Sequence, residues 1–175
     1  KIGKAFSDIC HGFGMQVYAY DPYVTSYKYV EMAELDSILK NADILSLHCP
    51  LMTDTQHIIN DKSICMMKSG VYIINTVRGA LIDTQALIKA LKSGKIGAVG
   101  LDVYEQESSM FFADHSLEII QDDILMRLLT FPNVLITSHQ GFLTKEALQE
   151  IAKVTLSNLE SLAKNGKCKN EIIFS

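Results

Sequence analysis

Clusters of lysine and arginine are missing from this chain, whose balance is mildly acidic: 20 acidic against 16 basic side chains, for a net charge of -4. Nucleic acid and anionic membrane surfaces both select basic patches, so neither is an expected partner. No apolar run approaches the roughly 20 residues that span a bilayer. The four cysteines, Cys10, Cys49, Cys65 and Cys168, show neither CxxC spacing nor a paired-histidine pattern. Reduced thiols and no metal site are therefore expected. No signal-peptide pattern is present, which makes a cytoplasmic location the expectation. Internal repeats, low-complexity runs and linkers rich in Pro or Ser are absent as well. The chain opens on Lys1 instead of Met, pointing to a piece of a longer polypeptide.

What is there amounts to 175 residues, 48% hydrophobic and 21% charged. That suffices for one domain with a real core, and a small-molecule partner is expected. Periodicity predicts a helix over Ile2 to Phe13, a strand over Met15 to Tyr20, a helix over Leu35 to Lys40 and a strand over Ile44 to Leu47. A short helix near Asp61 to Met67, a strand at Val71 to Ile74 and a helix over Thr84 to Leu91 follow. Strands at Ala98 to Leu101 and Val134 to Ile136 flank a long connection, Ser108 to Pro132, with a helical piece over Asp122 to Leu129. Lys145 to Lys164 reads as an amphipathic helix, with Leu148, Ile151, Ala152, Thr155, Leu156, Leu159 and Leu162 at helical spacing. Asn165-Gly166 ends it. Alternating strands and helices predict an α/β fold with a parallel sheet wound by right-handed crossovers.

The chain is organised around Val71 to Asp83. Val71 to Ile74 carries no polar alternation, as expected of a parallel strand covered on both faces. Asn75 to Gly79 then set the guanidinium of Arg78 beyond the strand's carboxyl end, the edge where open α/β sheets bind ligands. Arg78 alone would read as a surface charge, but at that edge its planar fork suits a carboxylate. Asp83 is placed to cap the next helix.

Gly3 opens a helix eighteen positions before Asp21. Alone, the two read as a helix start and an Asp-Pro turn. They also match the third glycine and the ribose-binding acid of a dinucleotide loop, whose other glycines would lie upstream. On that reading Asp21 selects NAD over NADP, because a carboxylate repels the 2'-phosphate. His139 directly follows a strand, and Glu107 lies in the loop after its neighbour. Alone, His139 is an ordinary loop histidine; paired with a carboxylate it is a proton donor. His11, His48, His57 and His115 read as ordinary residues, His57 flanking a helix. Arg78, Glu107 and His139 follow three strands of one sheet and together describe carbonyl reduction: a guanidinium for the carboxylate of a 2-keto acid, an imidazole for the proton, and a nicotinamide for hydride.

The ordered motifs Gly3 with Asp21-Pro22-Tyr23, His48-Cys49-Pro50-Leu51, Asn75-Thr76-Val77-Arg78-Gly79, Gly100-Leu101-Asp102-Val103-Tyr104-Glu105 and His139 resemble the NAD-dependent D-2-hydroxyacid dehydrogenases. The likeness runs from Lys1 to about Ile172. It is strongest to the D-lactate dehydrogenase branch, through the insert from Phe111-Phe112 to Asp122-Asp123 and through Gln140. The resemblance implies that Arg78 binds substrate, that His139 is the acid/base and that Glu107 is its partner, with Glu105 the rival for that role. It also implies that Asp102 holds the nicotinamide carboxamide, and that backbone around Cys49-Pro50 and Thr76-Val77 lines NAD. Val77, Met52 and Ser138 depart from the usual family residues.

Family members are about twice as long. The resemblance therefore implies a Rossmann-like doubly wound domain over residues 1–140 lacking its first strand, then a returning helix and tail over 141–175 belonging with an absent substrate domain. A gap at the centre of the sheet and exposed apolar surface on the returning helix are expected. The implied activity is reversible reduction of pyruvate to D-lactate with NADH, in a homo-oligomer, by a protein of which this piece alone is inactive. The alternatives are an NAD(H)-sensing corepressor-like protein of the same fold, in which the Arg, Glu and His are also found, and a remnant that binds nothing.

Overall fold

The computed structural model describes residues 1–107 and 119–172, so the first part of the Ser108 to Pro132 connection, residues 108–118 with Phe111, Phe112 and His115, lies outside the described residues. The chain divides into two compact units, Lys1–His139 and Gln140–Ser175. The first runs α1 (Ile2–Gly12), β1 (Tyr18–Ala19), β2 (Glu31–Met32), α2 (Leu35–Asn41), β3 (Ile44–Leu47), α3 (Asp61–Met66) and β4 (Val71–Asn75). A 3-10 turn at Gly79–Leu81, α4 (Thr84–Lys92), β5 (Ile96–Leu101), α5 (Asp123–Leu129) and β6 (Val134–Ile136) complete it.

Strands β3, β4, β5 and β6 form one sheet in that order, every pair parallel. The register aligns Leu47 with Asn75, Asn75 with Leu101 and Leu101 with Ile136, so the four strands end level. The loops after them share one edge. The row Leu45, Ile73, Val99 and Val134 and the row Leu47, Asn75, Leu101 and Ile136 point to one face, against which α2 to α5 pack side by side. Six of the nine residues of α4 are buried there. Ile73, Leu81 and Leu128 are fully buried at the centre of the core.

The opposite face is more open than the run Val71 to Ile74 predicts. Ile44, Tyr72 and Leu135 on that face are exposed, so β4 is covered fully on one side only. The reason is visible in α1, which meets this face through the contact of the Phe6 and His48 rings at 5.4 Å and buries no residue completely. The strand expected over Met15 to Tyr20 contracts to Tyr18–Ala19. It pairs with Glu31–Met32, a strand too short to announce itself in the sequence, in a separate two-stranded parallel sheet. A strand persists only where a neighbour takes its backbone groups, and β1 has a neighbour on one side. The sheet is thus in two pieces, with β1 and β3 both edge strands.

The second unit is built on α6 (Lys145–Asn165). Thr144 caps its start by accepting from the Ala147 amide at 3.1 Å, and it ends on Gly166 at φ 67°. Its apolar stripe, Leu148, Ile151, Leu156, Leu159 and Leu162, is exposed.

Candidate active site

The Arg78 loop is moulded by Asn75, a buried amide at the end of β4. Its Nδ2 donates to the Arg78 carbonyl at 2.8 Å and its Oδ1 accepts from the Val77 amide at 3.1 Å, so Thr76 to Arg78 curl around one side chain. Thr76 is exposed and Val77 packs partly against the core. Arg78 is exposed, and its Nη1 donates to the Val77 carbonyl at 2.7 Å, within its own loop. Gly79 is obligatory: a Cβ there would lie 2.1 Å from the Tyr104 carbonyl carbon and 2.3 Å from the Glu105 nitrogen. The Arg78 loop is therefore pressed against the loop that follows β5.

That second loop begins at Asp102, which reaches the end of β6. Its carbonyl accepts from the His139 amide at 2.5 Å and its Oδ1 from the Thr137 hydroxyl at 2.5 Å. Ser138 and His139 both take left-handed backbone, at φ 53° and 55°. Two consecutive non-glycine residues in that region cost on the order of 1–3 kcal/mol each, a strain found where the surroundings over-determine a side chain's position. The imidazole so held meets a carboxylate: His139 Nδ1 lies 2.9 Å from Glu107 Oε1. Glu107 is itself fixed, its Oε2 accepting from the Tyr104 amide at 3.0 Å. Of the two rival acids, Glu107 is thus the one bonded to His139.

Gly3 sits in the first turn of α1, and a Cβ on it would lie 3.3 Å from the Cβ of His48, just past β3. The helix approaches the sheet edge closely because nothing larger stands there. Burial holds the His48 imidazole below its ordinary pKa. Its Nε2 meets the Ser46 hydroxyl at 3.0 Å, while its Nδ1 is buried without a hydrogen-bond partner. Burial also raises the Cys49 thiol pKa. The Pro50 carbonyl accepts from the Thr55 hydroxyl at 2.7 Å, which fixes the turn after Cys49. Asp21 stands just past β1 with its Oδ1 accepting from the Tyr23 and Val24 amides at 2.8 and 3.1 Å, so the carboxylate is oriented by its own turn.

These features fit a dinucleotide. A helix start brought close to the end of β3, a carboxylate past β1, an orphaned imidazole nitrogen past β3 and the Asp102 carboxylate past β5 supply the donor and acceptor types that a nucleotide's ribose, phosphate and amide groups require. The sequence reading missed one arrangement there. His57, taken as a helix-flanking residue, does flank α3, its carbonyl accepting from the capping Asn60 at 2.7 Å. Its side chain also reaches Glu105, Nε2 to Oε1, at 2.7 Å. The only signal in the sequence was the first acid of Glu105-Gln106-Glu107.

Comparison with known proteins agrees with this geometry. Residues 1–141 match the family model described as D-isomer specific 2-hydroxyacid dehydrogenase, NAD binding domain. The 2-hydroxyacid dehydrogenase A of Aspergillus oryzae is 53% identical over 175 residues, covering 99% of this chain and 50% of that protein. A D-lactate dehydrogenase of Treponema pallidum superposes with a TM-score of 0.94 at 35% identity, over 99% of this chain and 53% of its own. The D-lactate dehydrogenase of Lactobacillus jensenii, solved with NAD+, gives 0.88 at 35% identity over 99% and 53%. The chain spans about half the length of the relatives it matches. It belongs to the D-isomer specific 2-hydroxyacid dehydrogenases and carries their Rossmann-like NAD-binding domain.

Proposed function

We propose that this chain is the cofactor-binding half of an enzyme that reduces pyruvate reversibly to D-lactate, with Arg78, Glu107 and His139 as its working residues. The observation that carries the reading is the 2.9 Å bond between His139 Nδ1 and Glu107 Oε1 at the carboxyl edge of the sheet. A carboxylate on Nδ1 makes that nitrogen the one that keeps its proton, so Nε2 is the nitrogen that exchanges a proton with substrate. Glu107 also balances the charge of the imidazolium. Arg78 exchanges its bond to the Val77 carbonyl for a two-pronged grip on the substrate carboxylate. That grip aligns the keto oxygen with His139 and draws electron density from the carbonyl carbon.

Bound NADH supplies the hydride for that carbon. His139 gives its Nε2 proton to the keto oxygen, and in the reverse direction it takes the hydroxyl proton back. On this side of the reaction Asp21 holds the adenosine ribose, Asp102 the nicotinamide carboxamide, and the backbone of Cys49, Pro50, Thr76 and Val77 lines the dinucleotide. The helix α6 returns towards a substrate domain, and the chain alone has no turnover. Pyruvate is the choice that the naming of the Treponema and Lactobacillus relatives supports.

The test is kinetic, in the whole-length protein that carries this chain. In His139→Ala, kcat with pyruvate falls about 100- to 10,000-fold while the NADH dissociation constant stays within about twofold. Arg78→Ala mainly raises the KM for pyruvate. Equal loss of NADH affinity in both variants would sink the division of roles.

A further inference from the structure

We propose that His57 is a positioning residue that clasps the Arg78 loop to the Glu107 loop through Glu105. The backbone of the segment is already joined to the first of these loops. The His57 amide donates to the Ala80 carbonyl at 2.9 Å and the Ile59 amide to the Leu81 carbonyl at 3.1 Å, while the Asp83 amide donates back to the Ile59 carbonyl at 2.8 Å. This parallel bridge, Ile59 to Ile82, runs alongside the continuation of the Arg78 loop. His57 itself has φ 50°, and the Asn60 amide group grips its carbonyl.

From that base the imidazole crosses to the second loop. Nε2 meets Glu105 Oε1 at 2.7 Å, and the other carboxylate oxygen accepts from the Thr84 hydroxyl at 2.8 Å and the Thr84 amide at 3.4 Å, at the start of α4. Glu105 is therefore held on one side by the His57 segment and on the other by the helix that follows Arg78. At Gly79 the two loops touch backbone to backbone, with no room for a Cβ between them. Two acids two positions apart thus serve two histidines: Glu107 bonds His139, and Glu105 bonds His57.

The consequence for catalysis rests on the reading given under Proposed function. The clasp fixes how far the Arg78 fork stands from the Glu107–His139 pair, which is the distance between a substrate's carboxylate and its keto oxygen. The side chains of His57 and Glu105 are 36% and 27% exposed. Truncating His57 leaves no closed cavity, so the variant folds and its effect is read on the loops.

The experiment uses His57→Ala and His57→Gln in the whole-length protein. Both carry the same left-handed backbone cost, and Gln sets an amide donor near the position of Nε2, so their difference reports the side-chain bond. In His57→Ala, amide hydrogen exchange of peptides 76–82 and 103–107 rises together, and kcat/KM for pyruvate falls about tenfold with the NADH dissociation constant within about twofold. His57→Gln restores kcat/KM to within about threefold of the parent.

Unchanged exchange in both peptides overturns the clasp. Faster exchange with unchanged kcat/KM overturns its positioning role, as does a loss of kcat/KM that Gln fails to restore. If the parent itself shows no turnover with pyruvate, it is the pyruvate reading that falls. Exchange then decides the clasp alone: a joint rise supports it and no rise overturns it.

Discussion

Asn75 is 1% exposed and ends a strand whose other residues are apolar or aromatic. Both ends of its amide are used, one on the Arg78 carbonyl and one on the Val77 amide. Asn75→Leu takes the partner from the Val77 amide and leaves the Arg78 carbonyl only the Leu81 amide at 3.2 Å, and should cost about 1–3 kcal/mol in urea unfolding. Asn75→Asp keeps the bond from Val77 but sets a charged oxygen against the Arg78 carbonyl, so its loss should be no smaller; a loss below that of Leu would contradict the assignment. His48 gives a prediction in pH. Burial lowers its folded pKa, so below about pH 6.5 the unfolded chain binds a proton that the native imidazole resists. This contribution is whole above that pH and is lost as pH falls towards the folded value. The urea midpoint of the parent should drop more between pH 7 and 5.5 than that of His48→Gln, and parallel drops would refute it. Arg78 and His139 were legible in the sequence because each stands just past an apolar strand, and strands of a parallel sheet end together. The bond of His57 to Glu105 was not, since it joins residues 48 positions apart through loops of no regular pattern.

At the scale of elements, legibility followed the strength of local signals. The bounds of β3 and β6 are those their apolar runs predict, and α4 begins where Asp83 caps it by accepting from the Gln85 and Ala86 amides at 3.0 and 3.1 Å. The strand β5 starts two residues before its predicted Ala98, because the unpatterned Ile96-Gly97 is recruited by its neighbour: Ile96 pairs with Val71 on β4. The strand β1 shows the converse, an apolar run that shortens for want of a second partner. Such tertiary overrides are invisible in a window of sequence. The Asp83 cap matters to the site because α4 also presents Thr84 to Glu105. Asp83→Ala should lower stability by about 1 kcal/mol and Asp83→Asn by only a few tenths, since asparagine caps nearly as well. Equal losses in thermal unfolding would mean that the carboxylate acts through charge and not through its two hydrogen bonds.

Over the whole of the first unit, stability is distributed unevenly. The sheet from β3 to β6 has one face closed by four neighbouring helices, with Leu45, Ile73 and Val99 buried along it. By contrast α1 has no buried residue, with Ile2, Phe6 and Ile9 exposed, and β1 and β2 pair through two residues each. Burial of apolar area is the main term that holds an element down, at about 25 cal/mol per Å². The two regions should therefore open at different free energies. Native-state hydrogen exchange on this chain tests the difference directly. Amides of Leu45, Ile73 and Val99 should exchange only through global unfolding, with protection that falls steeply as urea is added. Those of Ser7 to Cys10 in α1 should exchange through a local opening of lower free energy that urea barely affects. Gly3 and Asp21 belong to this looser region, so NADH binding should slow the α1 amides more than those of the sheet. Protection in α1 equal to that of β4 without NADH would mean that this half of the proposed cofactor site is pre-formed and held by contacts other than apolar burial.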